Sequence, residues 1–397
     1  MSDVKLFLEL CRDIEQISVK KQKKTRILFF GRDSFSDNCK YLYLYMIKEY
    51  SHLDIQWCST NESLIEDMVK NELPCFNLNK NTRKSMDFLL ESAIAIFCVN
   101  PLDSVGGNMA LLASLRGALT FQMWHGIGPK EADLALTELK DISNINVTRS
   151  ILGATSPEYY ISSSVFIDSK WRKFFGAQKI LRAGYPRNEL MLRAACDKEL
   201  LGSELNESTY RALYNKENKK VLLAPTWEKN AGLNNIAMLS AIVMFCQENN
   251  ITAFIKLHPF IKDNGINDII SSNLYNLPSD VDIYPHLSAF DALITDYSSI
   301  AYDFILTGKP VATIDINKGE DFDYSLIPGD DEYRYKINHD NLVDTLSEMF
   351  YRDSKADKRD SLARTLFETD NTRACADIAR KIINIYQERS AEAQQIY

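Results

Sequence analysis

Two histidines stand where their chemistry is most usable. His125 ends the run Thr120-Phe-Gln-Met-Trp-His and opens Gly126-Ile-Gly-Pro-Lys130, and His258 ends Ile251-Thr-Ala-Phe-Ile-Lys-Leu-His before Pro259. The chain has five histidines in all, and these two close short apolar runs of the kind that form buried strands. In open α/β sheets the carboxyl ends of the strands are where ligands bind. An imidazole titrates near neutrality, so at such an edge it suits general acid–base work. A hydrogen-bonded structural histidine is the plain alternative for either one alone. Their corresponding places in two similar halves favour chemistry.

Other polar groups fall at comparable strand ends. In Asp291-Ala-Leu-Ile-Thr-Asp-Tyr-Ser-Ser-Ile-Ala-Tyr-Asp303, Ser298 and Ser299 sit where a helix should begin, with Asp303 about one turn further on. Free amides and the dipole at a helix start hold anions, although serine there also serves as an ordinary cap. Thr226 and Trp227 end Ala224-Pro-Thr-Trp, and Lys256 shares a strand face with His258 at a spacing of two. Arg187 in Gly184-Tyr-Pro-Arg-Asn-Glu can fork onto a phosphate or make a helix-start salt bridge. Gly31-Arg-Asp-Ser-Phe-Ser-Asp-Asn38 reads as a strand-to-helix turn capped by Asp37 or Asn38. No G-x-G-x-x-G and no P-loop motif occurs, which removes the main support for dinucleotide oxidoreductase and P-loop readings.

These residues need parallel sheets to present them. Short apolar runs at 25–30, 53–58, 92–99, 119–124, 159–162 and 179–183 alternate with helical patterns such as 37–50. A polar stretch over 196–218 reads as a linker. A second series follows at 221–226, 251–257, 281–284, 292–295 and 310–315, with helices over 339–351 and 372–388. The expected fold is α/β, with two doubly wound domains facing each other across a cleft. The expected boundaries are 1–197, 198–370 and a C-terminal helical segment 371–397 that packs back on the first domain.

Bulk properties agree with two cores. The 397 residues are 45% hydrophobic and 25% charged, a globular composition, and the length exceeds one ordinary core. A net charge of −8 argues against nucleic acid as a partner. No run spans a bilayer and the start lacks a secretory pattern, so a cytoplasmic location is expected. An apolar stripe from Val4 to Ile17, followed by Lys20-Lys-Gln-Lys-Lys24, suits either a packed amphipathic helix or peripheral contact with an anionic membrane face. The eight cysteines are scattered without metal-ligand spacing, so reduced thiols and no metal are expected.

Trp124-His-Gly-Ile-Gly-Pro-Lys130, Ala224-Pro-Thr-Trp227, Lys256-x-His-Pro259 and Thr295-Asp-Tyr-Ser-Ser-x-x-x-Asp303 together resemble the CDP-glycerol glycerophosphotransferase family. Gly184-x-Pro-Arg-Asn188 and Ser36-Asp-Asn38 are similar to further family motifs, and Ile127-Gly128 departs from the family's usual Thr-Pro. The resemblance implies a GT-B-like fold and transfer of glycerol phosphate from CDP-glycerol to a hydroxyl of a polymer or lipid-linked acceptor, releasing CMP without a cofactor. It implies catalytic roles for His125 as base and His258 at the pyrophosphate. It further implies donor contacts from Arg187, Thr226, Lys256, Ser298, Ser299 and Asp303. Acceptor contacts are expected from Asp37, Asn38, Gly126 and Lys130. CDP-ribitol or a nucleotide sugar as donor, and a non-catalytic scaffold of capsule assembly, are the alternatives.

Overall fold

The computed structural model describes residues 3–80, 82–128, 134, 144–226, 232–257, 269, 271–314, 327 and 332–395. The chain forms two compact units. One takes Met1–His125, Glu131–Glu189 and Phe367–Tyr397, and the other Gly126–Lys130 and Leu190–Leu366. Among the described residues no helix is long and apolar enough to cross a membrane.

The first unit carries strands β1 (Lys24–Phe30), β2 (Asp54–Ser59), β3 (Cys75–Asn77), β4 (Ser92–Phe97), β5 (Leu119–Gln122), β6 (Tyr159–Ser162) and β7 (Lys179–Arg182). They form one sheet in the order β3-β2-β1-β4-β5-β6-β7, and every pairing is parallel. Parallel strands covered on both faces read as continuous apolar runs, and β4 is buried at every position. Leu28, Phe30, Ala95 and Phe97 pack with Leu111 and Leu112 and with Cys11 and Ile14 of the helix Asp3–Lys20.

The second unit carries β8 (Lys219–Ala224), β9 (Ile251–Lys256), β10 (Leu274–Leu277), β11 (Ala292–Thr295), β12 (Val311–Ile314) and β13 (Tyr335–Ile337), in the parallel order β10-β9-β8-β11-β12-β13. The apolar face of the helix Ile236–Glu248 closes its core, with Leu239, Ile242 and Val243 against Val221, Ile255 and Ile294. The order of the strands reverses between β1 and β4 in one sheet and between β8 and β11 in the other. A crevice opens at such points outside the carboxyl ends.

Several elements differ from the sequence expectation. Residues 281–284 are not a strand: Tyr284–Ala289 forms a 3-10 helix with Pro285 in its first turn, and the strand is β10, a few residues earlier. The expected linker over 196–218 holds a 3-10 turn, Asp197–Leu200, and a helix, Glu207–Tyr214. The helix starts where Asn206 Oδ1 accepts from Thr209 N at 2.9 Å, a cap that its polar composition conceals among loop-like residues. The chain enters the second unit at Leu190 and leaves it at Phe367. The terminal helix Ala374–Gln395 belongs with the first unit, where Cys375 N donates to Glu189 Oε1 at 2.7 Å.

The basic end of the first helix is largely engaged. Lys21 lies 3.8 Å from Glu91, Lys24 also reaches Glu91, and Lys23 Nζ donates to the Leu90 carbonyl at 2.7 Å. Burial draws Lys23 down to about 8. Leu6, Leu10, Ile17 and Val19 of the same helix remain exposed.

Candidate active site

In the first unit the chain leaving β5 is bent sharply to present His125. Trp124 has φ 59° and Gly126 φ 139°, and a tryptophan in the left-handed region persists only when its surroundings hold it. Two side chains do so. Trp124 N donates to Gln122 Oε1 at 2.9 Å, and the Trp124 carbonyl accepts from Asn38 Nδ2 at 2.9 Å. The Trp124 ring lies 4.2 Å from the His125 ring and 4.7 Å from Phe175.

Asn38 is fully buried, and its other end is used too, since Oδ1 accepts from Arg187 N at 3.2 Å. It braces two backbones and has neither amide end turned toward an acceptor, unlike its expected role. Its neighbour Asp37 is the first residue of the helix Asp37–Glu49 and has φ 68°. The cap position is Ser36, which makes no side-chain cap bond, so neither Asp37 nor Asn38 caps the helix. Asp37 Oδ1 accepts from Arg187 Nη1 at 2.9 Å and from Asn38 N at 2.8 Å, while Oδ2 accepts from Arg32 Nε at 3.1 Å. Burial works to raise the carboxyl, but the guanidiniums of Arg187 and Arg32 outweigh it and hold Asp37 below the usual range. Asp37 is therefore an ionised brace between two arginines.

Arg187 is 3% exposed and belongs to the first unit. The sequence placed it among donor contacts with Ser298 and Ser299, which lie in the second unit. The structure commits Nη1 to Asp37, a partner 150 positions away.

His125 is half-buried, but its Nδ1 is closed to solvent and meets no hydrogen-bond partner. Its pKa is drawn down to about 3, first by burial and then by Arg32, with Asp37 opposing and Arg187 adding to the effect. The Cys98 backbone, just past β4, works the other way and raises it slightly. At neutral pH the imidazole is thus uncharged and has a lone pair to offer.

In the second unit a single carboxylate organises the edge. Asp296, 2% exposed, follows β11. Its Oδ2 accepts from Thr226 N at 2.9 Å and Thr226 Oγ1 at 3.2 Å, and its Oδ1 accepts from Leu233 N at 3.0 Å. Gly232 has φ 55°, and a Cβ there would lie 2.0 Å from Asp296 Oδ1, so only glycine allows the approach. The Thr226 hydroxyl hydrogen is committed to Asp296, which differs from the phosphate contact expected of it.

Asp303 Oδ2 accepts from Tyr284 OH at 2.7 Å, and Lys256 Nζ donates to the Ser279 carbonyl at 2.8 Å. Both are tied to the protein. Ser298 and Ser299 differ: they are half-buried, and Ser299, the cap position, makes no side-chain cap bond. The helix they open, Ile300–Phe304, has five residues, so its dipole is small and the hydroxyls are the stronger anion donors. His258 and Lys130 lie outside the described residues, as does Trp227. Among the described residues no group of His, Cys, Asp and Glu could hold a metal ion.

Arg32, Asp296 and Gln122 carry much of this geometry and were not singled out as site residues from sequence. Arg32 and Asp296 lie inside motifs already marked, beside residues with more familiar chemistry. Gln122 has no local signal.

Residues 14–384 match the family described as CDP-Glycerol:Poly(glycerophosphate) glycerophosphotransferase. The chain is 24% identical over 341 residues to the teichoic acid poly(glycerol phosphate) polymerase of Staphylococcus epidermidis, covering 77% of this chain and 44% of that one. It is 28% identical over 204 residues to the teichoic acid glycerol-phosphate primase of Bacillus subtilis, covering 48% of each. It thus spans less than half the length of both relatives. The solved structure of the wall teichoic acid polymerase TagF aligns with a TM-score of 0.68 at 18% identity, over 97% of this chain and 95% of that one. That likeness establishes a GT-B-like fold with two Rossmann-like halves. With the family match extending over nearly the whole chain, the protein belongs to the CDP-glycerol:poly(glycerophosphate) glycerophosphotransferase family.

Proposed function

We propose that this chain transfers glycerol phosphate from CDP-glycerol to a hydroxyl acceptor and releases CMP. The carrying observation is His125: an uncharged imidazole at a strand's carboxyl edge, following a Trp124 whose N–H and carbonyl are both held, beside Arg32 and the Asp37–Arg187 pair. Family membership and the similarity to glycerol-phosphate polymerases and primases support the donor.

In the reaction the acceptor oxygen attacks the phosphorus bearing glycerol, and its proton passes to His125. The bond from that phosphorus to the CMP phosphate oxygen breaks, and CMP leaves as the anion. Ser298 and Ser299 donate to phosphate oxygens of the donor, and His258 supports the leaving group. Thr226 and Asp296 shape that edge rather than touch phosphate. The acceptor belongs to a cell-surface polymer or its lipid-linked precursor. Peripheral contact with the cytoplasmic face of a membrane, through the exposed leucines of the helix Asp3–Lys20, brings the two together.

The test is release of CMP from CDP-glycerol with a short glycerol phosphate acceptor, with CDP-ribitol run in parallel. His125→Ala should lose at least about 100-fold in turnover, the low end for a general base. Nucleotide binding with no turnover by the unaltered protein would instead indicate a scaffold. Faster use of CDP-ribitol would replace the donor.

A further inference from the structure

We infer that the first unit holds a second site, a cavity that takes one acyl chain of an anionic membrane lipid together with its charged head. This rests on the peripheral membrane contact proposed above and names the partner in that contact.

The cavity measures about 770 Å³, within the range of about 300–1,000 Å³ that encloses a small ligand. It lies beside the helix Asp3–Lys20, toward the amino ends of the strands. Thr120 near the start of β5, Glu158 just before β6 and Lys179 at the start of β7 all line it. His125 follows the opposite end of β5, so a lipid held here is not the source of the reacting hydroxyl.

The wall selects the body of the ligand. Leu8, Cys11, Met109, Leu112, Leu115 and Leu152 give it an apolar lining. Most of its hydroxyls are committed to the protein. Thr155 Oγ1 donates to the Ile151 carbonyl at 2.8 Å, Ser156 Oγ to the Gly153 carbonyl at 2.7 Å and Tyr160 OH to the Ala154 carbonyl at 2.6 Å. A sugar would bury hydroxyls without finding those donors, which is unfavourable. A hydrocarbon chain buries nothing polar and gains by leaving water.

Charge selects the head. Arg12, Arg116, Lys179 and Arg389 line the cavity against two carboxylates, Glu15 and Glu158, a surplus of two positive charges. Glu158 is already divided, with Lys179 on Oε1 at 2.5 Å and Arg389 on Oε2 at 3.0 Å. Arg12 and Arg116 are exposed, and neither meets a carboxylate among the described residues. Their guanidiniums match the oxygens of a phosphate head.

The mouth adjoins the surface that would meet a bilayer. Leu8 lines the cavity and is also 37% exposed, and Leu6 and Leu10 on the same helix are exposed as well. A lipid in the leaflet therefore reaches the cavity along a continuous apolar path.

The experiment presents the full chain to vesicles of equimolar phosphatidylcholine and phosphatidylglycerol, with a photoactivatable diazirine on one acyl chain of either lipid. Peptide mass spectrometry then maps the attachment. Phosphatidylglycerol should label Cys11, Met109 or Leu112 inside the cavity at least about 10-fold more than phosphatidylcholine does, the effect of one charge-assisted bond. Arg12→Gln combined with Arg116→Gln should remove that preference and leave the unfolding midpoint unchanged, because both side chains are exposed. Label confined to Leu6, Leu10 and Ile17 overturns the inference and leaves the membrane contact standing. Equal cavity labelling by both lipids, or a preference that survives in the double variant, overturns it as well. Absence of label anywhere on the helix removes both.

Discussion

Arg187 Nη1 meets Asp37 Oδ1 at 2.9 Å with side chains 4% and 6% exposed, which joins the 3-10 helix Pro186–Met191 after β7 to the first residue of the helix Asp37–Glu49. Removing one partner of a buried pair leaves the other charged and desolvated. Arg187→Ala should therefore destabilise the first unit by about 3–5 kcal/mol, read from urea midpoints. A double change to Leu at both positions should cost less than the single one. Equal losses would mean that the pair contributes no mutual compensation.

Asn38 acts on His125 from a distance, through the Trp124 carbonyl. Asn38→Ala frees a strained turn and lets the imidazole drift. Turnover should drop roughly 10- to 100-fold, the penalty for misplacing a catalytic group by about 1 Å. KM for CDP-glycerol should hold steady, and a change confined to KM would contradict the positioning role.

The pH dependence of stability has a definite sign. His125 titrates at about 3 in the fold against 6.5 for the free side chain, so the unfolded chain binds the extra proton in that window. Its contribution is complete above about 6.5 and is lost as pH falls toward about 3. Asp37, also depressed, adds loss in the same direction at lower pH. Urea midpoints at pH 7 and pH 5 should differ less in His125→Gln than in the unaltered protein, where both pH values are chosen to bracket the free imidazole.

Asp296 supports the second unit's edge by accepting from Thr226 N and Leu233 N. Asp296→Ala leaves those amides without their partner, costing about 1–3 kcal/mol for each. Gly232→Ala should lower the unfolding temperature as well, because its Cβ would collide with Asp296. A neutral Gly232→Ala would argue that this approach is looser than described.

Leu6 and Leu10 are 62% and 56% exposed on the first helix. If they seat the protein on a membrane, Leu6→Glu with Leu10→Glu should abolish co-sedimentation with anionic vesicles and leave the unfolding midpoint unchanged. Replacing Lys21 and Lys24 should matter less, since both already face Glu91. Deleting the helix is a poorer test, because Cys11, Ile14 and Ser18 are buried in the core.

The sequence by itself determined the alternation of strand and helix and the strand ends where chemistry gathers, because apolar period and local motifs are properties of neighbouring residues. Thr120 to His125 and Asp291 to Asp303 were legible in this way. It was weakest where the signal is short. The three-residue strands β3 and β13 show no period, and the helix Glu207–Tyr214 is too polar to stand out from a linker. Tertiary structure alone decided what each polar side chain does. Arg187 finds Asp37 across 150 positions and Thr226 finds Asp296 across 70, so two residues that look like ligands for phosphate are held by carboxylates. Hydrogen bonds form between groups that folding makes adjacent, and adjacency across a sheet edge is set by strand order, which no local run of residues encodes.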